Sequence, residues 1–274
     1  MPNETNNNQK KYALITGATS GIGYELAKLF AQDGYNLVIA ARNEEDLQKT
    51  SSELERQYGI DVVQFSKDLF DPENAFDLYN EVILKGIQID VLVNDAGQGQ
   101  YGEFVETDIH RELAIIQLNI SSLVVLTKLF LQDMVKRGEG KILNLSSVAS
   151  KNPGPFQSVY HGTKAFVQSF TEAIRNEVKD SGVTVTALLP GATDTDFFNK
   201  AEMQEAKIVQ EGKLDDPAKV AKDGYAALMK GDDKVVSGLK NKMQVAMSNI
   251  LPDDVVAKQV HKQQEPVTKE EKKT

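Results

Sequence analysis

Tyr12-Ala13-Leu14-Ile15-Thr16 runs directly into Gly17-Ala18-Thr19-Ser20-Gly21-Ile22-Gly23, an apolar segment that ends in a glycine-rich loop. A helical pattern over residues 25–32 follows, so the loop lies between a strand and a helix. Glycine has no Cβ, so Gly17, Gly21 and Gly23 allow a tight turn and let backbone approach a pyrophosphate closely. The helix N-terminus then offers unpaired N–H groups and partial positive charge to phosphate oxygens. In this context the loop reads as a dinucleotide cradle. A glycine-rich turn elsewhere in a chain would carry no such meaning.

Outward from the loop, short β-branched segments alternate with longer helical patterns. Strands are expected at residues 12–16, 36–41, 61–66, 91–94, 141–145, 183–189 and 234–237. Helices are expected at 25–32, 44–58, 73–85, about 107–136 and 158–179. Several strands are almost continuously apolar, as strands covered on both faces should be. The pattern predicts an α/β, doubly wound Rossmann-type fold with a central parallel sheet of about seven strands flanked by helices. No Pro-, Gly- or Ser-rich linker divides the chain, which predicts one domain over residues 11–260, with polar disordered tails at 1–10 and 261–274.

Composition narrows the function classes. The 274 residues carry a net charge of -9, which provides no cationic surplus for nucleic acid. There is no cysteine, so disulfides, thiolate nucleophiles and cysteine metal sites are excluded. His110, His161 and His261 lack ligand-like spacing, and no metal is expected. The N-terminus lacks the apolar segment of a signal peptide, and no apolar run approaches the ~18 residues of a membrane span. A cytoplasmic location is expected from these missing signals.

The end of the second strand bears on which dinucleotide is bound. A NAD site places an acidic residue there, about 20 residues beyond the glycines, to accept from the ribose 2′-OH. Ala41 stands at that point, followed by Arg42. With no carboxylate to repel a 2′-phosphate and a guanidinium to pair with it, NADP(H) is expected over NAD(H). Ser20 and Asn43 offer neutral donors, while Glu44 and Glu45 count against the assignment. Asp68, past the third strand, offers an acceptor to an adenine amino group, although a turn-capping Asp would look the same.

A proton-transfer device lies farther along. Tyr160 and Lys164 are one helical turn apart on one face. A nearby ammonium is expected to stabilise the phenolate and lower the tyrosine from its ordinary value of about 10, giving a group that exchanges a proton with an alcohol or carbonyl oxygen. Ser147, 13 residues earlier, closes a strand at the carboxyl edge of the sheet, where its hydroxyl can donate to the same oxygen. Ser146 is an equal candidate on these grounds alone. A second Tyr-x-x-x-Lys at Tyr24 and Lys28 falls inside the first helix, where no chemistry is expected.

These motifs resemble the short-chain dehydrogenase/reductase family, in its compact single-domain, NADP-preferring branch. The resemblance covers the chain from Thr16 to about Leu251. It implies a catalytic tetrad of Asn119, Ser147, Tyr160 and Lys164, with Ser147 chosen over Ser146 by its distance from the tyrosine. Asn119 would hold a water beside the lysine, and Lys164 would also bind the nicotinamide ribose. Along the glycine loop it implies cofactor contacts from Gly17, Thr19, Ser20, Gly21, Ile22 and Gly23. Arg42, Asp68 and Leu69 fall at the adenine and 2′-phosphate end. Asn94, Ala96 and Gly97 match the family's Asn-Asn-Ala-Gly, from which Asp95 departs. Pro190, Gly191, Thr193 and Thr195 match its Pro-Gly-x-x-x-Thr, with Thr195 near the nicotinamide amide. A homodimer or homotetramer built on the two long helices, including a Phe166, Phe170 and Ile174 face, is implied as well.

The substrate pocket is expected between residues 98–104, 151–159 and 192–210, the last an amphipathic flap bearing Phe197, Phe198 and Met203, with Phe156 as an aromatic wall. No Arg or Lys clamp is evident, which favours a neutral carbonyl. The amphipathic stretch 239–260 is expected to pack on its own domain or on a partner subunit. The expected activity is an oxidoreductase that interconverts a ketone or aldehyde and the corresponding alcohol, with carbonyl reduction the favoured direction. The alternatives are a non-catalytic dinucleotide-binding sensor or scaffold on the same fold, and an epimerase or dehydratase.

Overall fold

The computed structural model describes residues 10–248 and 250–267. Residues 1–9 of the expected N-terminal tail and 268–274 of the expected C-terminal tail lie outside the described residues. The strands are β1 (Tyr12–Thr16), β2 (Asn36–Ala41), β3 (Val62–Ser66), β4 (Val91–Asn94), β5 (Gly140–Leu145), β6 (Val183–Leu189) and β7 (Lys234–Val236). They form one parallel sheet in the order β3-β2-β1-β4-β5-β6-β7. The order reverses at β1 and β4, so their carboxyl ends open the crevice where ligands of such sheets bind.

Helices cover both faces. On one face α1 (Gly21–Gln32), α2 (Glu44–Tyr58) and α9 (Pro217–Lys230) bury Leu26, Phe30, Leu47, Leu54, Val220 and Leu228 against Ile15, Ile39 and Val93. On the other, α3 (Glu73–Leu84), α5 (Leu123–Arg137) and α6 (Ser158–Glu177) bury Leu78, Val82, Leu126, Phe130, Met134 and Ile174 against Leu14, Leu92 and Ile142. Adjacent strand residues thus point to opposite cores, which explains the continuously apolar strand sequences. Ile174 is part of this core and not of an exposed helix face; Phe166 is exposed and stacks on Phe170, which is itself partly buried against the core.

The helix expected over 107–136 is α4 (Ile109–Ile116), a π-helical segment (Gln117–Ser122) and α5 in one continuous run. Contrary to the sequence expectation, this run is apolar and long enough to cross a membrane by length and composition. Here its apolar face packs on the sheet through Leu126, Phe130 and Met134.

The short helices α7 (Phe197–Lys200) and α8 (Lys207–Gln210) form the expected flap, packed around Phe198, Ala201, Met203 and Ala206. The amphipathic stretch is broken at Pro252-Asp253-Asp254, as its sequence implies, into α10 (Leu239–Ser248) and α11 (Asp253–Gln264). Leu239, Met243, Met247 and Ile250 are exposed, whereas Val256 and Val260 of α11 are buried. Helix α11 also corrects the expected start of the C-terminal tail. It continues through the buried Gln264, and Pro266 bridges to Ala206 on the flap, so the ordered chain runs past residue 260 to at least 267.

Candidate active site

The glycine loop works through backbone geometry. Gly17 has φ 75°, a left-handed conformation that disfavours a side chain, and its N–H donates to the Ala40 carbonyl, which ties the loop to β2. Thr16 Oγ1 accepts from the N–H groups of Asp95 and Ala96, joining the ends of β1 and β4. Helix α1 starts at Gly21, earlier than the expected residue 25, because the glycines themselves form its first turn. Its N-cap Ser20 makes no side-chain cap bond, so the N–H groups of Gly21 and Ile22 remain available to a phosphate, while that of Gly23 goes to Asp95. A Cβ at Gly23 would strike both the Asp95 carboxylate and the Gly17 carbonyl. Backbone, carboxylate and helix terminus are packed here as closely as the atoms permit.

A cleft of about 410 Å³ extends from this loop across the carboxyl edge of the sheet. Gly17, Thr19, Ser20, Gly21 and Ile22 form its floor, and Arg42, Asp68 and Leu69 one end. Ala96, Gly97, Pro190, Gly191, Thr193 and Thr195 lie along its length, with Ser147, Tyr160 and Lys164 at the other end. The residues fit a dinucleotide: a glycine floor without side chains, the Gly21 and Ile22 N–H groups at a helix N-terminus, and the Arg42 guanidinium at the far end. Arg42 sits 5.0 Å from the centre of the Phe70 ring, with Arg111 on the same ring at 5.2 Å. Phe70 was not singled out in the sequence; its aromatic character was the available signal, and only the fold brings it to Arg42. Asn43 spends its side-chain oxygen capping α2 through the Asp46 N–H. The exposed Asp68 caps its own turn by accepting from the Phe70 N–H, while standing at the cleft edge.

Three expected site residues lie behind the cleft wall. Gly23 is beneath the loop, against Asp95. Asn94 is buried, and its Nδ2 donates to Thr127 and Asn144, each at 2.9 Å, while Asn144 donates on to Thr171. This polar row joins β4 and β5 to α5 and α6, so the Asn94 side chain is turned away from the ligand space. Asn119, in the π-helical segment, is also buried. Its Oδ1 accepts from the Gln98 N–H at 3.0 Å, and its Nδ2 donates to the Gln98 carbonyl and the Thr163 hydroxyl. These bonds hold the backbone next to Gly97, on which Asn119 and Lys164 converge.

Tyr160 and Lys164 occupy the first turns of α6, and the Lys164 ammonium lies 5.8 Å from the centre of the phenol ring. Lys164 donates to the Leu145 carbonyl at 2.8 Å. Desolvation pulls it down to about 8, against the attraction of Asp95. Asp95 accepts from the Gly23 N–H, and desolvation pushes its carboxyl up to about 7, against the pull of Lys164. Tyr160 behaves differently from the sequence expectation. Burial drives it up to about 12, opposed by its hydrogen bond with the Ser147 hydroxyl. The lysine charge is engaged with the Leu145 carbonyl and does not offset the desolvation of the phenol.

Both serines line the cleft, but their hydrogen bonds differ. Ser146 Oγ is buried and donates to the Lys164 carbonyl at 3.0 Å, a brace between strand end and helix. Ser147 lines the cleft beside Tyr160 and accepts from the Ala149 N–H. At the second Tyr-x-x-x-Lys, Tyr24 donates to Glu53 and Lys28 pairs with Glu25, away from the cleft. Asn241 of α10, not anticipated, packs beneath Gly191 and bonds Asp215 and Ser237. A lone Asn in an amphipathic stretch gave no sign of that role.

Comparison with known proteins agrees with this arrangement. The family model for short chain dehydrogenase matches residues 11–206. An uncharacterized oxidoreductase of Staphylococcus epidermidis is 30% identical over 208 residues, covering 76% of this chain and 89% of that protein. A very-long-chain 3-oxoacyl-CoA reductase of Anas platyrhynchos is 34% identical over 183 residues, 65% of this chain and 58% of the relative. Among solved structures, a short-chain dehydrogenase from Sphingobium yanoikuyae in complex with NADPH superposes with a TM-score of 0.78 at 28% identity, covering 88% of this chain and 96% of that one. The chain belongs to the short-chain dehydrogenase family of oxidoreductases, a fold that binds a nicotinamide dinucleotide.

Proposed function

We propose that the protein is an NADP(H)-dependent oxidoreductase that interconverts a ketone or aldehyde and the corresponding alcohol. The observation that carries the reading is the meeting of the Tyr160 phenol and the Ser147 hydroxyl at one end of the cleft, with Lys164 one turn away. The bound dinucleotide supplies or takes up the hydride. Ser147 and Tyr160 hold the substrate oxygen between two hydroxyls, and the Tyr160 O–H passes its proton to that oxygen as the carbonyl is reduced. A phenol pushed up to about 12 is protonated at neutral pH, the state that reduction requires. Lys164 positions the site through the Leu145 carbonyl, and Asn119 holds the Gln98 backbone beside it.

Arg42 supports NADP(H) over NAD(H). It lines the cleft end, is steadied by Phe70, and follows Ala41 where a NAD site would carry a carboxylate. The NADPH complex of the Sphingobium relative and the 3-oxoacyl reductase name of the Anas relative support the dinucleotide and the carbonyl chemistry in turn. A cytoplasmic homodimer or homotetramer completes the proposal, with the exposed Ile109, Leu113 and Phe166 as the contact face.

The test is oxidation of NADPH and NADH, followed at 340 nm, with a panel of neutral ketones and aldehydes. Turnover that favours NADPH is expected. Dinucleotide binding without turnover of any carbonyl compound would point instead to a non-catalytic binding role.

A further inference from the structure

Beside the dinucleotide cleft lies a second cavity of about 100 Å³. Ser147 and Tyr160 form part of its wall, so the remainder of a substrate held by these two hydroxyls extends into it. The flap supplies an apolar wall that includes Phe197 and Met203, and α11 supplies another wall through Val260, Gln263 and Gln264. The lining mixes apolar side chains with amides, and no Asp, Glu, Lys or Arg among the described residues takes part in it. Helix α11 carries none of the motifs read from the sequence; the fold alone brings it to the reacting residues.

Several contacts fix α11 in this place. The Gln264 amide meets His161 Nε2 at 3.2 Å, on the residue that follows Tyr160. The Gln264 backbone carbonyl accepts from the Tyr101 hydroxyl, and the His261 ring lies 4.9 Å from that of Phe156. On the flap, the Lys207 N–H donates to the Glu265 carbonyl, and the Val267 N–H donates to the Glu205 carbonyl. The Lys207 ammonium also pairs with the Glu265 carboxylate at 2.8 Å. The helix is thus tied to α6, to the flap and to the loops that bear Tyr101 and Phe156. A wall held at so many points cannot retreat cheaply from an oversized ligand, because close-packed interiors respond to a change of even one methylene.

Helical spacing puts Val256, Val260 and Gln264 on one buried face of α11, but of these three only Val260 and Gln264 line the cavity. Val260 is the apolar member of the α11 wall, and its two methyl groups occupy space that an alkyl chain would otherwise fill. The cavity is far smaller than the roughly 300 Å³ at which sites for drug-sized ligands begin. A charged group would be desolvated there without a counter-ion. Resting on the oxidoreductase reading above, we infer that α11 is a specificity wall of the active site, and that Val260 limits the length of the small, uncharged carbonyl compound admitted as substrate.

A homologous series from 2-butanone to 2-nonanone tests the inference. Binding is measured by calorimetry on protein saturated with NADP+, which has no hydride to give, so no turnover is required. Affinity in the parent is expected to rise with chain length and to fall once the cavity is filled. Val260→Ala should move the maximum to longer chains and raise the affinity of the first excluded ketone by about 10-fold or more. Val260→Leu should move the maximum to shorter chains, and these opposite shifts keep the test decisive should one of the two variants fail to fold. Val256→Ala removes the same atoms from the same buried face but outside the cavity lining. It shares any loosening of α11 and should leave the maximum where the parent has it. Affinity that climbs through 2-nonanone in the parent, a maximum unmoved in either folded Val260 variant, an equal move with Val256→Ala, or no binding of any ketone would overturn the inference. Turnover of the same ketones with NADPH keeps the two claims apart. Length-selective binding without turnover contradicts the oxidoreductase reading alone, and turnover without length selectivity contradicts this inference alone.

Discussion

Asp95 and Lys164 are desolvated together beneath the dinucleotide cleft, and each opposes the shift that burial imposes on the other. The carboxyl also accepts the Gly23 N–H, so the residue that departs from the family's Asn-Asn-Ala-Gly ties the glycine loop to Lys164. An asparagine could accept the same N–H. It could not attract the ammonium.

The pair predicts a specific dependence of stability on pH. Asp95 is raised from an unfolded value near 3.8 to about 7, so in the interval between them the unfolded chain has released a proton that the folded chain still holds. Its contribution to stability is intact below the lower value and is lost as pH rises through the upper one, at up to ~1.4 kcal/mol per pH unit. Asp95→Asn is expected to flatten the decline between about pH 4 and 7, measured by urea midpoints without dinucleotide. A slope equal to that of the parent would contradict the account.

Gly23→Ala tests the close packing of the loop. Its Cβ would meet the Asp95 carboxyl and the Gly17 carbonyl, and the Gly17 atom is backbone that has little room to yield. Overpacking of this kind costs about 1–3 kcal/mol. A thermal melt should fall by several degrees and dinucleotide affinity should fall with it; an unchanged melt would show the loop to be looser than described.

Arg42→Ala should separate the two dinucleotides. Loss of a charge-assisted contact to a 2′-phosphate is worth about 1.5–3 kcal/mol, or roughly 10- to 100-fold in the KM for NADPH. The KM for NADH should change little, because NADH lacks the phosphate. Equal effects on both would remove Arg42 from 2′-phosphate recognition.

The two serines should respond in different ways. Ser147→Ala removes the hydroxyl beside Tyr160 and is expected to lower kcat 10-fold or more with a near-parental melt. Ser146→Ala removes the brace to the Lys164 carbonyl and is expected to cost about 1 kcal/mol of stability by urea titration, with a smaller effect on kcat. A reversal of the two results would exchange their roles.

These contrasts show what the sequence could carry. The parallel sheet was legible because its strands are buried on both faces and read as apolar runs, and the glycine loop because of its place after β1. The choice between Ser146 and Ser147 was not legible from the strand itself, since it depends on which way each side chain leaves the end of β5, just beyond its last paired residue. The start of α1 was hidden because Gly21 and Gly23 have poor helix propensity, and only tertiary packing makes them helical. The direction of the Tyr160 shift was missed because helical spacing reports proximity to Lys164 and not the desolvation of the phenol. Helix α11 was cut short because Gln264 is polar; its burial comes from His161, 103 residues away in the chain.

The central claim is that Tyr160 transfers the proton in a carbonyl–alcohol reaction. The most direct measurement compares NADPH-dependent carbonyl turnover and NADPH affinity in the parent and in Tyr160→Phe. Turnover lowered by at least ~100-fold, with the dinucleotide still bound, is the predicted result. Parental turnover in the variant would contradict the assignment of Tyr160 as the acid.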